Sequence, residues 1–280
     1  MKLRPNKLNI GIAGINSVLF KSFHGKYSKK YKFSLYRNDI NNIKEIKKWI
    51  LLNKNIDVFI NFAAIVSTKR CLDNKIVALK TNFKTVLDIL NIYKQTNKTN
   101  ITNLKYFLAL STSHVFLPSN KKLSEKSKKK PSNYYGETKL KMENALLKKN
   151  KFFNVGIGRI FNYYNKSTKN GFFINDILNI LNSKNDKIYL TDLDTYRDYI
   201  DINDIISAIS HMVDKNLKGD YNICSGKGFY LKKIVKNLNI KFKKKLYFIN
   251  TYKKSIIGDN TKLKKTGWKI KHILTYKKIV

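Results

Sequence analysis

Tyr135 and Lys139 stand four residues apart in Tyr135-Gly136-Glu137-Thr138-Lys139. In a helix that spacing puts a phenol and an ammonium on one face. A cation beside a phenol favours the phenolate and lowers a pKa that is ordinarily ~10. Such a pair can serve as a general acid or base. The spacing occurs once in a chain with 17 Tyr. The competing reading is an ordinary helix start with a solvated Lys. Upstream, Ser111-Thr112-Ser113-His114-Val115-Phe116 offers Thr112 as a hydroxyl that can hold a substrate oxygen while the phenol moves its proton. His114 could act as an acid, although a His at a strand end is more often simply hydrogen-bonded.

A second chemistry is written near the N-terminus. Gly11-Ile12-Ala13-Gly14-Ile15-Asn16-Ser17 places two glycines in a strand-to-helix turn, with Ser17 where a third would stand. Such a turn lets a pyrophosphate approach the backbone at a helix N-terminus, so Gly11, Gly14, Ile15 and Asn16 are candidate contacts. The second strand ends at Tyr36 and is followed by Arg37. An acidic residue there suits a ribose 2′-hydroxyl and NAD, whereas an Arg suits a 2′-phosphate and NADP. A merely solvated Arg37 is the alternative. Asp39 falls where a carboxylate could meet the adenine edge, and Ile40 beside it is a further candidate cofactor contact. Asn61-Phe62-Ala63-Ala64 ends the third strand with small residues. A cofactor can lie against Phe62, Ala63 and Ala64, and tight helix packing explains the same residues equally well.

These positions need strands to end where they do. Short apolar runs at Lys7–Ala13, Tyr31–Tyr36, Ile56–Phe62, Leu104–Leu110 and Phe153–Arg159 predict strands. Between them, Val18–Tyr27, Ile40–Leu52, Asn74–Tyr93 and Tyr135–Leu147 carry helical spacing. The alternation predicts an α/β fold of the Rossmann type, a doubly wound parallel sheet covered by helices, over residues 1–164. Residues 165–280 predict a smaller substrate-binding lobe, some of whose segments return to the sheet. Lys121–Lys130 (KKLSEKSKKK) is low in complexity and reads as a mobile surface loop.

Composition narrows the class. The 280 residues carry 57 Lys+Arg against 18 Asp+Glu, a net charge of +39. A basic field of that size attracts anions. Yet only Arg4, Arg37, Arg70, Arg159 and Arg197 are Arg, and Lys is spread through nearly every segment alongside Asn and Ile. Duplex readers rely on bidentate Arg, so a solvated surface is preferred and nucleic acid is not the expected partner. The 42% apolar and 12% aromatic content excludes a disordered tail. Two Cys exclude a disulfide framework, and no Cys/His spacing suits a metal. Apolar stretches such as Val58–Val66 are too short to span a bilayer. Met1–Asn9 leads straight into a strand rather than a signal-peptide apolar block. The expected location is the cytoplasm, with no membrane partner.

Taken in order, these motifs resemble the extended short-chain dehydrogenases/reductases of the NAD-dependent epimerase/dehydratase type. GIAGINS resembles the family's G-x-x-G-x-x-G, NFAA its N-x-A-A/G, STSHVF the strand end with its Ser/Thr, and YYGETK its Y-x-x-x-K. Gly158–Tyr164 resembles the R-x-x-N-x-Y segment and Arg197–Asp204 the R-D-F/Y-I-x-V-x-D block. Tyr221–Gly226 and Asp259…Thr266-Gly267-Trp268 resemble late landmarks. The resemblance implies that Thr112 orients a hexose oxygen and Tyr135 is the general acid. It implies that Lys139 lowers the Tyr135 pKa and holds the nicotinamide ribose. Asn162 and Arg197 would hold the phosphates of a nucleotide sugar, and the assembly would be a homodimer. Arg159 reads as structural, and an ion pair of Arg197 with Asp198 or Asp201 is the competing reading at that position.

Members that perform 4,6-dehydration carry a carboxylate soon after the Thr, where this chain has Ser113 and His114, here candidate substrate contacts. Dehydration is therefore disfavoured. The stretch from Lys187 to Arg197 and YNICSGKG are similar to reductases of GDP-4-keto-6-deoxyhexoses. The short connection from the second strand to the third is similar to dTDP-4-keto-rhamnose reductases. The expectation is NADPH-dependent reduction at C4 of a nucleotide-linked hexose. An NAD-dependent epimerase is the first alternative, and a redox-silent nucleotide- or RNA-binding protein the second.

Overall fold

The structure, a computed structural model, describes residues 7–148, 152–165, 173–249 and 254–279. The chain opens with β1 (Asn9–Ala13), α1 (Val18–Tyr27), β2 (Lys32–Leu35), α2 (Ile43–Leu52) and β3 (Val58–Asn61). Next come α3 (Thr68–Asp73), α4 (Lys75–Leu79), α5 (Thr85–Lys98), β4 (Tyr106–Thr112), α6 (Tyr134–Leu146) and β5 (Asn154–Ile160). The remainder holds β6 (Asn162–Tyr164), α7 (Phe173–Leu181), β7 (Lys187–Thr191), β8 (Tyr196–Asp201), α8 (Ile202–Asp214) and β9 (Gly219–Ile223). It closes with β10 (Gly228–Tyr230), α9 (Leu231–Asn239), β11 (Lys245–Ile249) and two short C-terminal helices.

Six strands form the central sheet in the order β2-β1-β3-β4-β5-β9. The pairings of β1 with β2 and β3, and of β3 with β4, are parallel. All four residues of β3 and all seven of β4 are buried. That is why they read as continuous apolar runs: helices cover both faces of a parallel sheet. Ile46 and Ile50 of α2, Ile89, Leu90 and Tyr93 of α5, and Met142 of α6 share one core with Phe59 and Phe107. The expected α/β Rossmann architecture is thus present. Among the described residues no helix is long and apolar enough to cross a membrane.

Backbone proximity divides the chain into two compact units. One comprises 1–115, 129–159 and 206–221; the other comprises 116–128, 160–205 and 222–280. The second unit has its own core, including Ile174, Ile177, Leu181, Ile188, Leu190, Ile234 and Leu238. Its sheets are the three-stranded β10-β8-β6 and the two-stranded β11-β7.

Two expectations need correction. The single helix read over Asn74–Tyr93 is α4, a wide π-helical turn at Lys80–Lys84, then α5. Within that turn Asn82 is fully buried. Its side chain accepts from Ile65 N (2.8 Å) and donates to Ile65 O (3.0 Å) and Thr138 Oγ1 (3.2 Å). An extra residue in the turn turns that amide inward, a geometry common at functional sites. The Lys121–Lys130 run is likewise no free loop. Leu123 is buried, and its backbone bonds to Ile257 and Asp259. Glu125 accepts from Asn222 N (2.8 Å).

Candidate active site

The turn after β1 can be occupied only by glycine at position 14. Gly14 has φ +85°, and a Cβ there would fall 2.2 Å from Ala63 N and 2.6 Å from Phe62 C. The β1 turn therefore lies directly on the β3 end, bringing Gly14, Phe62 and Ala63 together. Phe62 N donates to Ala13 O (2.9 Å), and Asn61 Oδ1 accepts from Ala63 N (2.9 Å). Ser17 caps α1 without a side-chain hydrogen bond, and the first turn of α1 has no acidic residue. Its backbone N–H groups are thus left to meet an anion such as a pyrophosphate, undisturbed by a competing carboxylate. Arg37 and Asp39 are exposed just beyond β2, while Ile40 is buried in the core. Gly14→Ala is expected to cost at least about 1–2 kcal/mol from the left-handed backbone alone. The check is the urea midpoint, and an unmoved midpoint would refute the geometry of this turn.

The candidate acid–base residues lie at the end of β4 and the start of α6. Asn133 caps α6, its Oδ1 accepting from Gly136 N (2.9 Å). That bond fixes the amide, so Asn133 Nδ2 faces His114 Nδ1 at 2.8 Å and donates to it. With Nδ1 accepting, the His114 tautomer carries its proton on Nε2. A Cβ on Gly136 would lie 2.3 Å from His114 O, so glycine lets α6 press against the β4 end. The His114 ring meets Tyr135 edge-on at 5.7 Å between centroids. His114 N donates to Thr112 Oγ1 (3.3 Å). Thr112 and Tyr135 are thus assembled around one common neighbour, His114, and both are buried.

Lys139 follows one turn after Tyr135 and is only 3% exposed. Burial pulls its ammonium down to about 8, against the upward pull of the Glu143 carboxylate and of Cys71. Its Nζ lies 3.8 Å from Met142 Sδ. Behind it is a charged cluster that sequence reasoning did not find. Glu143, fully buried, accepts from Ser111 Oγ (2.6 Å) and from Arg159 Nε and Nη2 (2.8 Å each). Arg159 also pairs with Asp220. Burial opposes the Arg159 charge, but Glu143 and Asp220 hold its guanidinium above its ordinary value. Arg159 is structural, as expected. The signal for Glu143 was its place four residues after Lys139; Asn82, flanked by Lys80, Thr81 and Lys84 in a segment that also holds Asn74 and Asn91, carried none.

In the second unit, Asn162 Nδ2 donates to Asp198 O (3.2 Å). Arg197 makes no ion pair with Asp198 or Asp201 among the described residues. Its Nη1 donates to Thr195 Oγ1, Tyr196 O and Lys254 O. Asp198 is instead buried and accepts from Ser225 N and Oγ, Gly226 N and Gly258 N. Burial pushes its carboxyl up to about 6, with those four bonds opposing. Its work is to hold the 225–228 and 256–258 segments beside β8, a role the sequence did not reveal.

The sequence profile of the family described as GDP-mannose 4,6 dehydratase matches residues 16–275. Over 124 residues the chain is 30% identical to GDP-6-deoxy-D-talose 4-dehydrogenase of Aggregatibacter actinomycetemcomitans. That match covers 44% of this chain and 42% of the relative, so less than half of the relative's length is spanned. Among solved structures, RMD from Pseudomonas aeruginosa, complexed with NADPH, aligns with a TM-score of 0.80 and 19% identity. The alignment covers 97% of this chain and 96% of that one. UDP-glucose 4-epimerase of Thermus thermophilus, in complex with NAD, aligns with a TM-score of 0.79 and 14% identity over 95% of each chain. At these identities the structural likeness speaks for the fold, whereas the family profile runs over nearly the whole sequence. By that match, and by motifs that follow the same order, the chain belongs to the GDP-mannose 4,6-dehydratase family of the NAD-dependent epimerase/dehydratase superfamily.

Proposed function

We propose that this protein reduces the C4 keto group of a nucleotide-linked 6-deoxyhexose with NADPH. The observation that carries the reading is the assembly of Thr112 and Tyr135 around His114, with buried Lys139 one helical turn on. Thr112 holds the carbonyl oxygen by its hydroxyl. Tyr135 gives its phenolic proton to that oxygen as negative charge develops there. Lys139 stabilises the phenolate left behind. Gly11, Gly14, Ile15, Asn16, Phe62, Ala63 and Ala64 are the residues that would hold a dinucleotide, and Tyr135 and Lys139 would flank its nicotinamide end. When bound, the reduced nicotinamide supplies the hydride.

Three further points favour reduction. The positions after Thr112 hold Ser113 and a neutral His114 rather than the carboxylate that elimination of water would use. Exposed Arg37 suits a 2′-phosphate. The curated relative is named for dehydrogenation at position 4 of a GDP-linked 6-deoxyhexose, and ketoreduction is that reaction in reverse. Ser113, His114, Asn162 and Arg197 are the proposed sugar and phosphate contacts. A homodimer in the cytoplasm is the proposed working form.

The test is NADPH oxidation at 340 nm with GDP- and dTDP-linked 4-keto-6-deoxyhexoses, after mass spectrometry of the purified protein. Stoichiometric loss of NADPH supports the reductase. Tightly retained NAD and interconversion of sugars without net cofactor consumption would replace it with the epimerase reading. Arg37→Asp is expected to lower kcat/KM for NADPH relative to NADH by about tenfold or more, the loss of one charge-assisted phosphate contact. An unchanged ratio would remove Arg37 from the cofactor site.

A further inference from the structure

We propose that Glu143 is a positioning residue that keeps Lys139 charged inside its buried site, and that Arg159 and Lys129 set how much of the Glu143 charge Lys139 feels. The proposal rests on the reading of Tyr135 and Lys139 as the acid–base pair.

Glu143 stands one turn after Lys139 on α6, where side chains four residues apart are neighbours. Its carboxylate is fully buried. An isolated carboxylate there would be expensive, so its partners decide whether it stays charged. From β4, Ser111 donates to it, and Ser111 is next to Thr112. From β5, Arg159 grips both oxygens. Asp220 of β9 shares that guanidinium. Lys129, from the segment before α6, lies 3.9 Å from Glu143 and 3.6 Å from Asp220. The groups acting on Lys139 are Glu143 on its own helix and Cys71 from α3; the Cys71 thiol is pushed up by burial. Among the described residues Glu143 is the carboxylate that opposes the pull of burial on Lys139. A neutral Lys139 could not stabilise the Tyr135 phenolate. The bond from Ser111 also ties the Lys139 turn of α6 to the strand end that carries Thr112.

The test titrates Lys139 directly, in the full-length protein without substrate. Lysine labelled with carbon-13 at Cε is followed by NMR from pH 6 to 11, and the resonance missing from Lys139→Met identifies Lys139. The wild-type midpoint is expected at about 8. Glu143→Gln should lower it by about one pH unit, the effect of removing a nearby opposite charge. Lys129→Met, at a side chain 26% exposed, should raise it. The alkaline limb of the kcat–pH profile should move in the same directions. A role in packing alone predicts lower stability with an unmoved midpoint, and a midpoint equal in Glu143→Gln and wild type overturns the proposal. If Glu143→Gln does not fold, Lys129→Met decides, and an unmoved or lowered midpoint overturns it equally. The two readings fail separately. Shifted titrations with no sugar-nucleotide turnover sink the enzymatic reading alone; turnover with unshifted titrations sinks the role of Glu143 alone.

Discussion

Tyr135→Phe is expected to lower kcat by about 10²–10⁴-fold, the usual contribution of a positioned acid, with cofactor affinity nearly unchanged. The substitution removes one hydroxyl and keeps the ring. The ring's contacts with the His114 imidazole and with the cluster of Cys71 and Ala78 are therefore retained. Stability should change little, so lost turnover would report chemistry rather than folding. The measurements are NADPH oxidation with the accepted 4-keto sugar, fluorescence titration with NADPH, and thermal unfolding. Turnover that survives would move the acid elsewhere, with the Nε2 proton of His114 the first alternative. Thr112→Val would then separate holding the oxygen from protonating it, because it removes the other hydroxyl at the same shape.

The largest loss of stability is expected from Arg159→Met, about 3–5 kcal/mol, as for other buried pairs broken on one side. Arg159 is fully buried with two carboxylates around it. Removing it leaves Glu143 and Asp220 facing each other with only Lys129 to compensate. The deficit should shrink as pH falls. Orphaned carboxylates have raised pKa values in the folded variant, so the folded state takes up protons that the unfolded state does not. Urea unfolding at pH 8 and pH 5.5 reads both effects. The double variant Glu143→Gln/Arg159→Met should recover part of the loss, because it leaves fewer charges unpaired. A deficit that grows toward acid would show that the carboxylates are not what Arg159 compensates.

How far the sequence carries can be seen residue by residue. The strands β3 and β4 were legible because burial on both faces writes an uninterrupted apolar run. The face shared by Tyr135 and Lys139 was legible because it depends on helical periodicity alone. Gly14 was legible as the glycine of a strand-to-helix turn; its contact with Ala63 needed the pairing of β1 with β3. The π-helical turn at Asn82 was hidden, and so was the partner of that amide, Ile65, 17 residues away.

By itself the sequence determined the alternation of strands and helices over residues 1–164, the two-glycine turn and the helix face shared by Tyr135 and Lys139. These follow from local periodicity and residue type. Tertiary structure alone decided which charges matter. A chain of net charge +39 gives no hint which of its many lysines is buried or which carboxylate serves it. Ser111, Lys129, Glu143, Arg159 and Asp220 come from separate segments and meet only when the sheet and α6 are in place. The same holds for the His114 tautomer, set by Asn133 across 19 residues, and for Asp198, held by 225, 226 and 258. A buried charge is stabilised by whatever the fold brings to it, and that information lies in long-range pairing rather than in spacing along the chain.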